Sequence, residues 1–260
     1  MPELAEVEYY RRLAERALGR RIGAVSAPDG WYLKGGLDAV GLSAALRGRC
    51  FTEARRQGKL LVLPTDGGPV VGLRFGMSGT LVVDGVAGVA DLLWAPKRSD
   101  ERWHRLTIGF VDGGSLVMHD PRRLGGVSLD PAEDRLGPDA LRISSAELRA
   151  ALQGSATALK ARLLDQARVA GIGNLAADEV LWRAGLAPDR PAGSLSDPEL
   201  RRLLRALRTT LSDLLDRGGS HTGDLAAERH PGGTCPRDGA ALRRATVGGR
   251  TSWYCPQHQR

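Results

Sequence analysis

The chain has 260 residues, enough for two domains with hydrophobic cores, and its 37 lysines and arginines against 30 aspartates and glutamates give a formal net charge of +7. This positive excess points to a polyanionic partner such as nucleic acid and away from a small neutral substrate. No apolar run is long enough to span a membrane and no charged-then-apolar leader is present, so we expect a cytoplasmic protein.

The first three residues, Met1-Pro2-Glu3, suggest a nucleophile at the amino terminus. Initiator methionine is normally removed when a small residue follows, and Pro2 would then carry a free secondary amine. An α-amino group has a pKa of about 8, against about 10 for lysine, so part of it is nucleophilic at neutral pH. Such an amine attacks a sugar aldehyde carbon to give an iminium ion. The alternative is that Pro2 merely begins a helix, because proline suits the first helical position.

The first half of the chain predicts one helix followed by short strands. Apolar residues recur at helical spacing from Leu4 to Leu18 and predict an amphipathic helix that ends near Gly19, with Glu3 and Glu6 on one face near its positive end. Apolar runs separated by turn residues predict five strands: Lys59 to Leu63, Val70 to Phe75, Thr80 to Val83, Leu106 to Val111, and Ser115 to Met118. We therefore expect a helix that leads into an antiparallel β-sandwich.

The second half of the chain is helical in pattern. Three helices are predicted there. The first runs from Ser144, where there is capping-box spacing, to Leu164; the second follows the interruption Gly171-Ile172-Gly173-Asn174 and runs to about Ala184; the third is capped by Ser196 to Glu199 and is stopped by Gly218-Gly219. The last stretch, residues 235–260, is too short for a core of its own and needs a staple.

Two cysteines near the C-terminus predict a metal site in a reducing compartment. Cys235 to Gly239 and Cys255 to His258 look like two metal-binding knuckles, with the spacing of a zinc ribbon in which one cysteine of each pair is replaced. Cys235, Cys255 and His258 are credible zinc ligands. Asp238 is one candidate for the fourth ligand, and His230 is its competitor. A metal-free hairpin with two buried cysteines is the alternative.

Two glycine-containing loops carry groups that suit phosphate. Asp120 to Gly126 follows a predicted strand and presents two guanidinium groups, which suit phosphates or the gap in a duplex. The Gly171 to Asn174 segment presents backbone amides and an Asn side chain at a helix start, where phosphate is often held. Either loop, taken alone, could be a solvated turn.

Taken in order, these segments resemble the formamidopyrimidine-DNA glycosylase and endonuclease VIII family of base-excision repair enzymes. The resemblance spans nearly the whole chain and lies in six motifs: Pro2-Glu3-Leu4 with Glu6-Val7-Glu8; Gly58-Lys59-Leu60; the Gly-Met-Ser-Gly turn within Leu73 to Leu81; Asp120 to Gly125; the helix-two-turn-helix from Leu163 through Gly171 to Glu179; and the zinc finger from Arg250 to Cys255. Each motif is weak to moderate alone, but six in one order are specific.

The resemblance implies a bifunctional DNA glycosylase and abasic-site lyase that removes oxidised bases. Pro2 would attack C1′ of a damaged nucleotide that has been flipped out of the duplex, and a Schiff base to the sugar would remain. Glu3 would act as general acid on the opening deoxyribose and then assist β,δ-elimination, which breaks the strand on both sides. Glu6 would help to place Glu3 or a water, and Lys59 belongs to the catalytic-domain motif.

The resemblance also implies a set of DNA contacts. Three residues match positions that clamp phosphates around the lesion, namely Lys59, Asn174 and Arg250. Three others match the residues that fill the hole left by the flipped base, namely Met77, Arg122 and Leu124.

Several positions depart from the family pattern. Ala5 stands where a second proline is usual, Leu124 where an aromatic is usual, and Ala176 where a tyrosine is common. The segment between Gly219 and Cys235 is short, whereas relatives that excise oxidised guanine usually carry a long lesion-capping loop there. The sequence therefore leaves open whether an oxidised purine, an oxidised pyrimidine or an abasic site is preferred.

We accordingly expect an α+β protein with DNA crossing a cleft between two domains. The expected parts are a catalytic N-terminal helix and β-sandwich over residues 1–130, a helix-two-turn-helix DNA-binding domain over 131–224, and a zinc-finger hairpin over 225–260. One structural zinc ion is expected on Cys235, Asp238, Cys255 and His258. The partner would be damaged double-stranded DNA, bound by a monomer at the bacterial nucleoid, with no membrane partner.

Three other functions fit parts of the sequence. A protein that binds damaged or abasic DNA with little turnover would keep the DNA-binding cleft. A tautomerase would also use a terminal proline, but it gives no reason for the basic excess or the zinc-like tail. A helix-turn-helix regulator would leave the Pro2-Glu3 pair unexplained.

Overall fold

The computed structural model describes residues 2–89 and 100–260, so Met1, whose removal the sequence predicts, lies outside the described residues. The chain divides into two compact units. The first contains Pro2 and Glu6–Glu133, and the second contains Glu3–Ala5 and Asp134–Arg260. Within the described ranges, no helix is both long and apolar enough to cross a membrane.

The first unit is built mainly from short antiparallel strands. Its elements, with helix α1 beginning in the residues grouped with the second unit, are α1 (Leu4–Ala14), β1 (Ile22–Ser26), α2 (Ala39–Leu46), β2 (Arg55–Gln57), β3 (Leu60–Pro64), β4 (Val70–Arg74), β5 (Thr80–Val83), β6 (Val86–Ala87), β7 (His104–Phe110), β8 (Ser115–His119) and β9 (Gly126–Leu129). The five predicted strands correspond to β3, β4, β5, β7 and β8, each within two residues at either end.

These strands form two antiparallel sheets that share one core. One sheet has the order β1-β7-β8-β5-β6 and the other has the order β2-β3-β4-β9. Fully buried leucines from both sheets belong to the same apolar cluster, among them Leu61 and Leu73 from one and Leu81 and Leu106 from the other. The predicted helix and β-sandwich are therefore confirmed. The 260-residue chain also forms elements that its apolar periodicity does not predict, namely β1, α2, β2, β6 and β9.

Strand β9 fixes the position of the second end of the loop from Asp120 to Gly125. It pairs with β4 so that Arg74 lies opposite Gly126. The loop that enters β9 and the turn that leaves β4 therefore lie side by side. This arrangement brings two of the sequence motifs together.

The second unit contains four α-helices and a hairpin within its described residues. They are α3 (Ser145–Leu152), α4 (Leu159–Leu164), α5 (Asn174–Ala184), α6 (Asp197–Asp216), β10 (Arg243–Val247) and β11 (Arg250–Tyr254). The continuous helix predicted from Ser144 to Leu164 is wrong. It is broken between α3 and α4 because the chain turns at Gly154, where φ is +69°, a conformation that glycine adopts readily.

The C-terminal hairpin packs directly on helix α4. Its two-residue turn, Gly248-Gly249, has φ values of +57° and +70°, as a type I′ turn requires. A Cβ atom at Gly248 would lie 2.6 Å from the Cβ of Ala161 in α4. The turn can therefore approach the helix only because it lacks a side chain.

Helix α6 begins with a capping box that an arginine reinforces. Glu199 accepts a hydrogen bond from the Ser196 backbone N–H at 2.8 Å and pairs with Arg190, whose Nη2 lies 2.9 Å from Oε2. The hydrogen bond from Arg190 lowers the pKa of Glu199 from 4.5 to about 2. The stability that this charge contributes is therefore present above about pH 4.5 and is lost as the pH falls toward 2.

We predict that Glu199→Gln lowers the free energy of unfolding at pH 7 by about 1–2 kcal/mol, since the pair is partly exposed and screened. The difference from wild type should shrink as the pH is lowered from 4.5 toward 2, as measured by denaturant unfolding across that range. Glu147→Gln is the control, because Glu147 caps α3 in the same way but forms no ion pair with any residue that the structure describes. Its effect should be smaller. An equal loss in both variants would show that Arg190 contributes nothing.

Candidate active site and DNA interface

The Glu3 carboxylate is buried at the N-terminus of helix α5. Only 1% of Glu3 is exposed, and its two oxygens accept hydrogen bonds from the backbone N–H groups of Leu175 at 2.9 Å and Ala176 at 3.1 Å. The first N–H groups of a helix have no partner within the helix, and the helix dipole favours negative charge there. The carboxylate therefore satisfies two of these donors and is held in one position.

Gly173 is required for this arrangement. A Cβ atom at this position would lie 2.1 Å from Cδ of Glu3. The sequence suggests that backbone amides at the start of this helix hold phosphate. In the structure, however, the N–H groups of Leu175 and Ala176 donate hydrogen bonds to Glu3. The Asn174 side chain remains a candidate for phosphate contact, since its buried Oδ1 atom has no hydrogen-bond partner among the described residues.

Gln166 fixes the two turns that lead into α5. Its side-chain amide donates to the carbonyl oxygens of Leu164 and Ile172, and its Oε1 atom accepts from the backbone N–H of Gly171. One side chain thus supplies three hydrogen bonds to a segment without regular secondary structure. The position of the α5 N-terminus, and with it the position of Glu3, depends on these bonds.

Helix α1 supports the turn that carries Lys59. Gly58-Lys59 is a two-residue turn between β2 and β3, and the φ of +57° at Gly58 suits such a hairpin. Arg56 donates to the carbonyl oxygen of Gly58 at 2.9 Å and pairs with Glu8 at 3.3 Å. Burial alone would raise the pKa of Glu8, but hydrogen bonds and charges from Arg11 and Arg56 outweigh burial and lower it.

Pro2 and Glu6 are buried near the start of the chain. Glu6 is 1% exposed, and it lies one helical turn before Tyr10. The Tyr10 hydroxyl donates to the carbonyl oxygen of Gly79 at 3.3 Å. Burial raises the pKa of Tyr10 well above its usual value, so the hydroxyl stays protonated and remains a donor. Helix α1 therefore also supports the turn that contains Met77.

The three predicted hole-filling residues lie on two adjoining segments of the first unit. Met77 is half-buried in the turn between β4 and β5, and Arg122 and Leu124 are exposed on the loop between β8 and β9. A Cβ atom at Gly76 would lie 2.4 Å from the backbone carbon of Leu124. The two segments are therefore in direct backbone contact.

Asp120 holds these two segments together. Its carboxylate is fully buried and accepts hydrogen bonds from the Ser78 hydroxyl at 2.7 Å and from the backbone N–H groups of Arg122 at 3.2 Å and Gly125 at 2.8 Å. Arg123, between them, has a φ of +57°, which is unfavourable for a residue with a side chain. The loop is thus fixed in a strained conformation that presents its side chains outward.

The four predicted metal ligands come together in the second unit. One ligand atom from each of Cys235, Asp238, Cys255 and His258 lies within 4.8 Å of the others. The closest approaches are 2.9 Å between His258 Nδ1 and Asp238 Oδ2, and 3.3 Å between Cys255 Sγ and Asp238 Oδ2. Two sulfurs, a nitrogen and an oxygen at such spacings fit a tetrahedral zinc ion with bonds of about 2.0–2.3 Å. His230, the competing candidate, instead contacts the carbonyl oxygen of Pro231.

Trp182 of helix α5 orients two of these ligands. Its indole Nε1 donates to Cys235 Sγ at 3.2 Å, and its carbonyl oxygen lies 3.2 Å from His258 Nε2. A carbonyl oxygen can only accept, so Nε2 carries the proton and the Nδ1 lone pair faces the cluster. Burial raises the pKa of the Cys255 thiol.

A buried ion network on α5 is not foreseen in the sequence. Lys160 is fully buried, and its Nζ lies 2.7 Å from Asp178 Oδ1, while Arg229 Nη2 lies 2.7 Å from Asp178 Oδ2. The same carboxylate accepts from the backbone N–H of Trp253 in β11. Lys160 is one of only four lysines, and this rarity is the only sequence signal for the network.

Arg250, which the sequence predicts to contact a phosphate, is exposed at the start of β11.

Comparisons with known proteins agree with this arrangement. The Formamidopyrimidine-DNA glycosylase N-terminal domain matches residues 1–127, and the Formamidopyrimidine-DNA glycosylase H2TH domain matches residues 136–225. The Formamidopyrimidine-DNA glycosylase of Geobacter metallireducens is 36% identical over 281 residues and aligns over the full length of both chains.

Solved structures with DNA are similar over the whole chain. Wild-type Lactococcus lactis Fpg in complex with a N7-Benzyl-Fapy-dG containing DNA matches with a TM-score of 0.83 and 27% identity, covering all of both chains. The same protein with an oxidized pyrimidine containing DNA gives the same values. The fold and the matched domains define a DNA repair glycosylase. The chain belongs to the formamidopyrimidine-DNA glycosylase and endonuclease VIII family.

We predict that Asp120→Asn loosens the loop between β8 and β9, because one acceptor oxygen is replaced by a donor facing other donors. Loss of a buried hydrogen bond to a charged group costs about 1.5–3 kcal/mol, so affinity for lesion-containing DNA should fall roughly tenfold. Hydrogen exchange at the Gly125 amide should accelerate.

Asp112→Asn is the matched control for this variant, since Asp112 forms an exposed ion pair with Arg20 away from the loop between β8 and β9. It should bind DNA like wild type. Unchanged Gly125 protection and unchanged affinity in Asp120→Asn would show that Asp120 does not organise the loop.

Proposed function

We propose that this protein is a bifunctional DNA glycosylase and abasic-site lyase that uses the Pro2 amine as its nucleophile. The observation that carries the proposal is the buried Glu3 carboxylate on the N-terminus of α5, directly after Pro2 in the chain. A carboxyl held by two backbone donors is oriented before substrate arrives, and such orientation contributes strongly to catalysis.

In the proposed reaction, Pro2 and Glu3 have separate tasks. After Met1 is removed, the Pro2 nitrogen attacks C1′ of the flipped nucleotide while the bond from C1′ to the base breaks. Glu3 accepts the proton that the Pro2 amine loses on attack and then gives it to the ring oxygen as a general acid, so the deoxyribose opens and an iminium ion forms. Removal of a proton at C2′ then allows the 3′ phosphate to leave, and a second elimination releases the 5′ phosphate. Glu6 helps to place Glu3 or a water.

The other matched residues serve to bind DNA in this proposal. Lys59, Asn174 and Arg250 contact phosphates around the lesion, which gives affinity without reading sequence. Met77, Arg122 and Leu124 fill the space that the flipped base leaves, which offsets the cost of unstacking. The turn that carries Met77 and the loop that carries Arg122 and Leu124 are in fixed contact. This supports the role, since side chains inserted into a duplex must keep their positions.

We propose oxidised bases as the substrate class, without restricting them to purines. The related Lactococcus lactis Fpg is known in complexes with both an N7-benzyl-Fapy-dG and an oxidised pyrimidine. In this chain the short segment after α6 is tied to α5, because Glu179 accepts from the backbone N–H groups of Asp224 and Leu225. The shortness of this segment, which leaves no room for a long capping loop, supports a substrate class that is not restricted to purines.

We further propose that the four-ligand cluster holds one structural zinc ion. The ion would join the start and the end of the hairpin, which is too short to form its own core. In this arrangement residues 225–260 act as a zinc finger, 131–224 as the helical DNA-binding domain and 1–130 as the catalytic domain. The protein would act as a monomer on DNA at the nucleoid.

We predict that borohydride traps a covalent adduct between this protein and abasic-site DNA, and that peptide mass analysis places the adduct on Pro2. Pro2→Leu should keep Met1, because the second residue is then large, and should lose most of the trapped product. An adduct on Lys59 or another lysine would refute the proposed nucleophile. Lesion binding without any adduct would instead indicate a damage-binding protein.

We predict that the purified protein contains one zinc per chain. His258→Ala should lower zinc affinity by more than about tenfold, since even groups that only orient ligands contribute that much. His230→Ala is the control and should keep both its zinc and its melting temperature. Zinc loss in His230→Ala, or a wild-type protein that binds none, would disprove the assigned ligand set.

A further inference from the structure

An exposed tryptophan adjoins the loop from Asp120 to Gly126 in the first unit, which we call the hole-filling loop because it carries Arg122 and Leu124. The side chain of Trp31 is 68% exposed, and it is the one aromatic among the large exposed apolar side chains of the described residues. Burying an aromatic ring is strongly favourable, so a ring left in solvent commonly marks a binding surface. The loop from Asp120 to Gly126 contains no aromatic residue itself.

Several contacts join the Trp31 segment firmly to that loop. Asp29 accepts two hydrogen bonds from Arg123, at 2.6 and 2.7 Å, and one from the backbone N–H of Trp31. The Lys34 backbone N–H donates to the carbonyl oxygen of Val127, and a Cβ atom at Gly126 would lie 2.6 Å from Cε of Lys34. Residues 29–34 and the loop therefore form one continuous surface, which we call the Trp31 surface.

The charge of the Trp31 surface is positive. Lys34 and Arg122 are exposed, and Lys34 Nζ lies 5.0 Å from the centre of the Trp31 ring while it donates to the Trp31 carbonyl oxygen. Of the two acidic residues here, Asp120 is fully buried, and Asp29 is paired with Arg123, whose hydrogen bonds lower the pKa of Asp29. An exposed ring with a lysine ammonium beside it, on a rigid support, is typical of surfaces that bind a nucleic-acid strand.

We propose that Trp31 and Lys34 form a DNA contact that extends the hole-filling loop along the strand beside the lesion. The indole packs against a base or deoxyribose of that strand, and Lys34 binds a neighbouring phosphate. This assignment rests on the proposed function, since it concerns how the same substrate is held. It adds a contact that none of the six sequence motifs includes.

The test measures the affinity of the full-length protein for a duplex that contains a tetrahydrofuran abasic-site analogue. Stacking on an aromatic side chain contributes about 1–3 kcal/mol, so Trp31→Ala should weaken binding roughly tenfold, whereas Trp31→Phe should stay close to wild type. Val111→Ala is the matched control, because Val111 is similarly exposed on the same unit, and its binding should be unchanged.

The salt dependence of binding separates the two proposed contacts. Lys34→Met should reduce the slope of log K against log salt by about 0.9, as expected when one phosphate contact is lost, while Trp31→Ala should leave the slope unchanged. Melting temperatures confirm that each variant is folded.

Binding by Trp31→Ala within twofold of wild type would overturn the assignment, as would an equal loss in Val111→Ala. Borohydride trapping at saturating enzyme keeps this result separate from the proposed reaction. Trapping by wild type alongside unchanged binding by Trp31→Ala would reject only the Trp31 contact. Absence of trapping in wild type would reject the reaction while leaving the binding measurement valid.

Discussion

The hydrogen bonds between the Glu3 carboxylate and the N-terminus of α5 are the contact on which the second unit's candidate chemistry depends. They fix a buried acid on a rigid helix and use the helix dipole to keep its charge favourable there. At its other end, the same helix holds Cys235 and His258 through Trp182. In between, Asp178 binds the hairpin strand β11 through Trp253. Helix α5 therefore supports both the Glu3 carboxylate and the four candidate metal ligands.

Strong periodic patterns predict much of the fold. The five strands, the capping boxes at Ser144 and Ser196 and the stop after α6 all follow from local residue order. Strand β1 and helix α2 are not predictable in this way, because their residues form weak patterns. Strand β1 pairs with the distant strand β7, and helix α2 packs against β1. The break at Gly154 is also not predictable from local residue order. The leucines keep their helical spacing across it, although the backbone turns there.

For the candidate site, the sequence predicts residue types better than their contacts. The four candidate metal ligands follow from spacing, yet the folded chain is needed to show that Asp238 lies with the other three while His230 contacts the carbonyl oxygen of Pro231. The amides after Gly173 are expected to hold phosphate because helix starts commonly do, but Glu3, some 170 positions away, occupies two of them. Asp120 and Asp178 act through buried hydrogen bonds and ion pairs with distant residues, which no local pattern reveals.

The most direct test of this account is the single-turnover rate of base release by Gly173→Ala. The added methyl group would lie 2.1 Å from Cδ of Glu3, so the Glu3 carboxylate must move, while the substitution changes none of the proposed DNA-binding residues. A displacement of about 1 Å can cost on the order of a hundredfold in rate. We predict a fall of that size with lesion affinity within twofold of wild type, and no effect of Gly109→Ala, where a Cβ has room. Base release by Gly173→Ala at the wild-type rate would contradict the role assigned to Glu3.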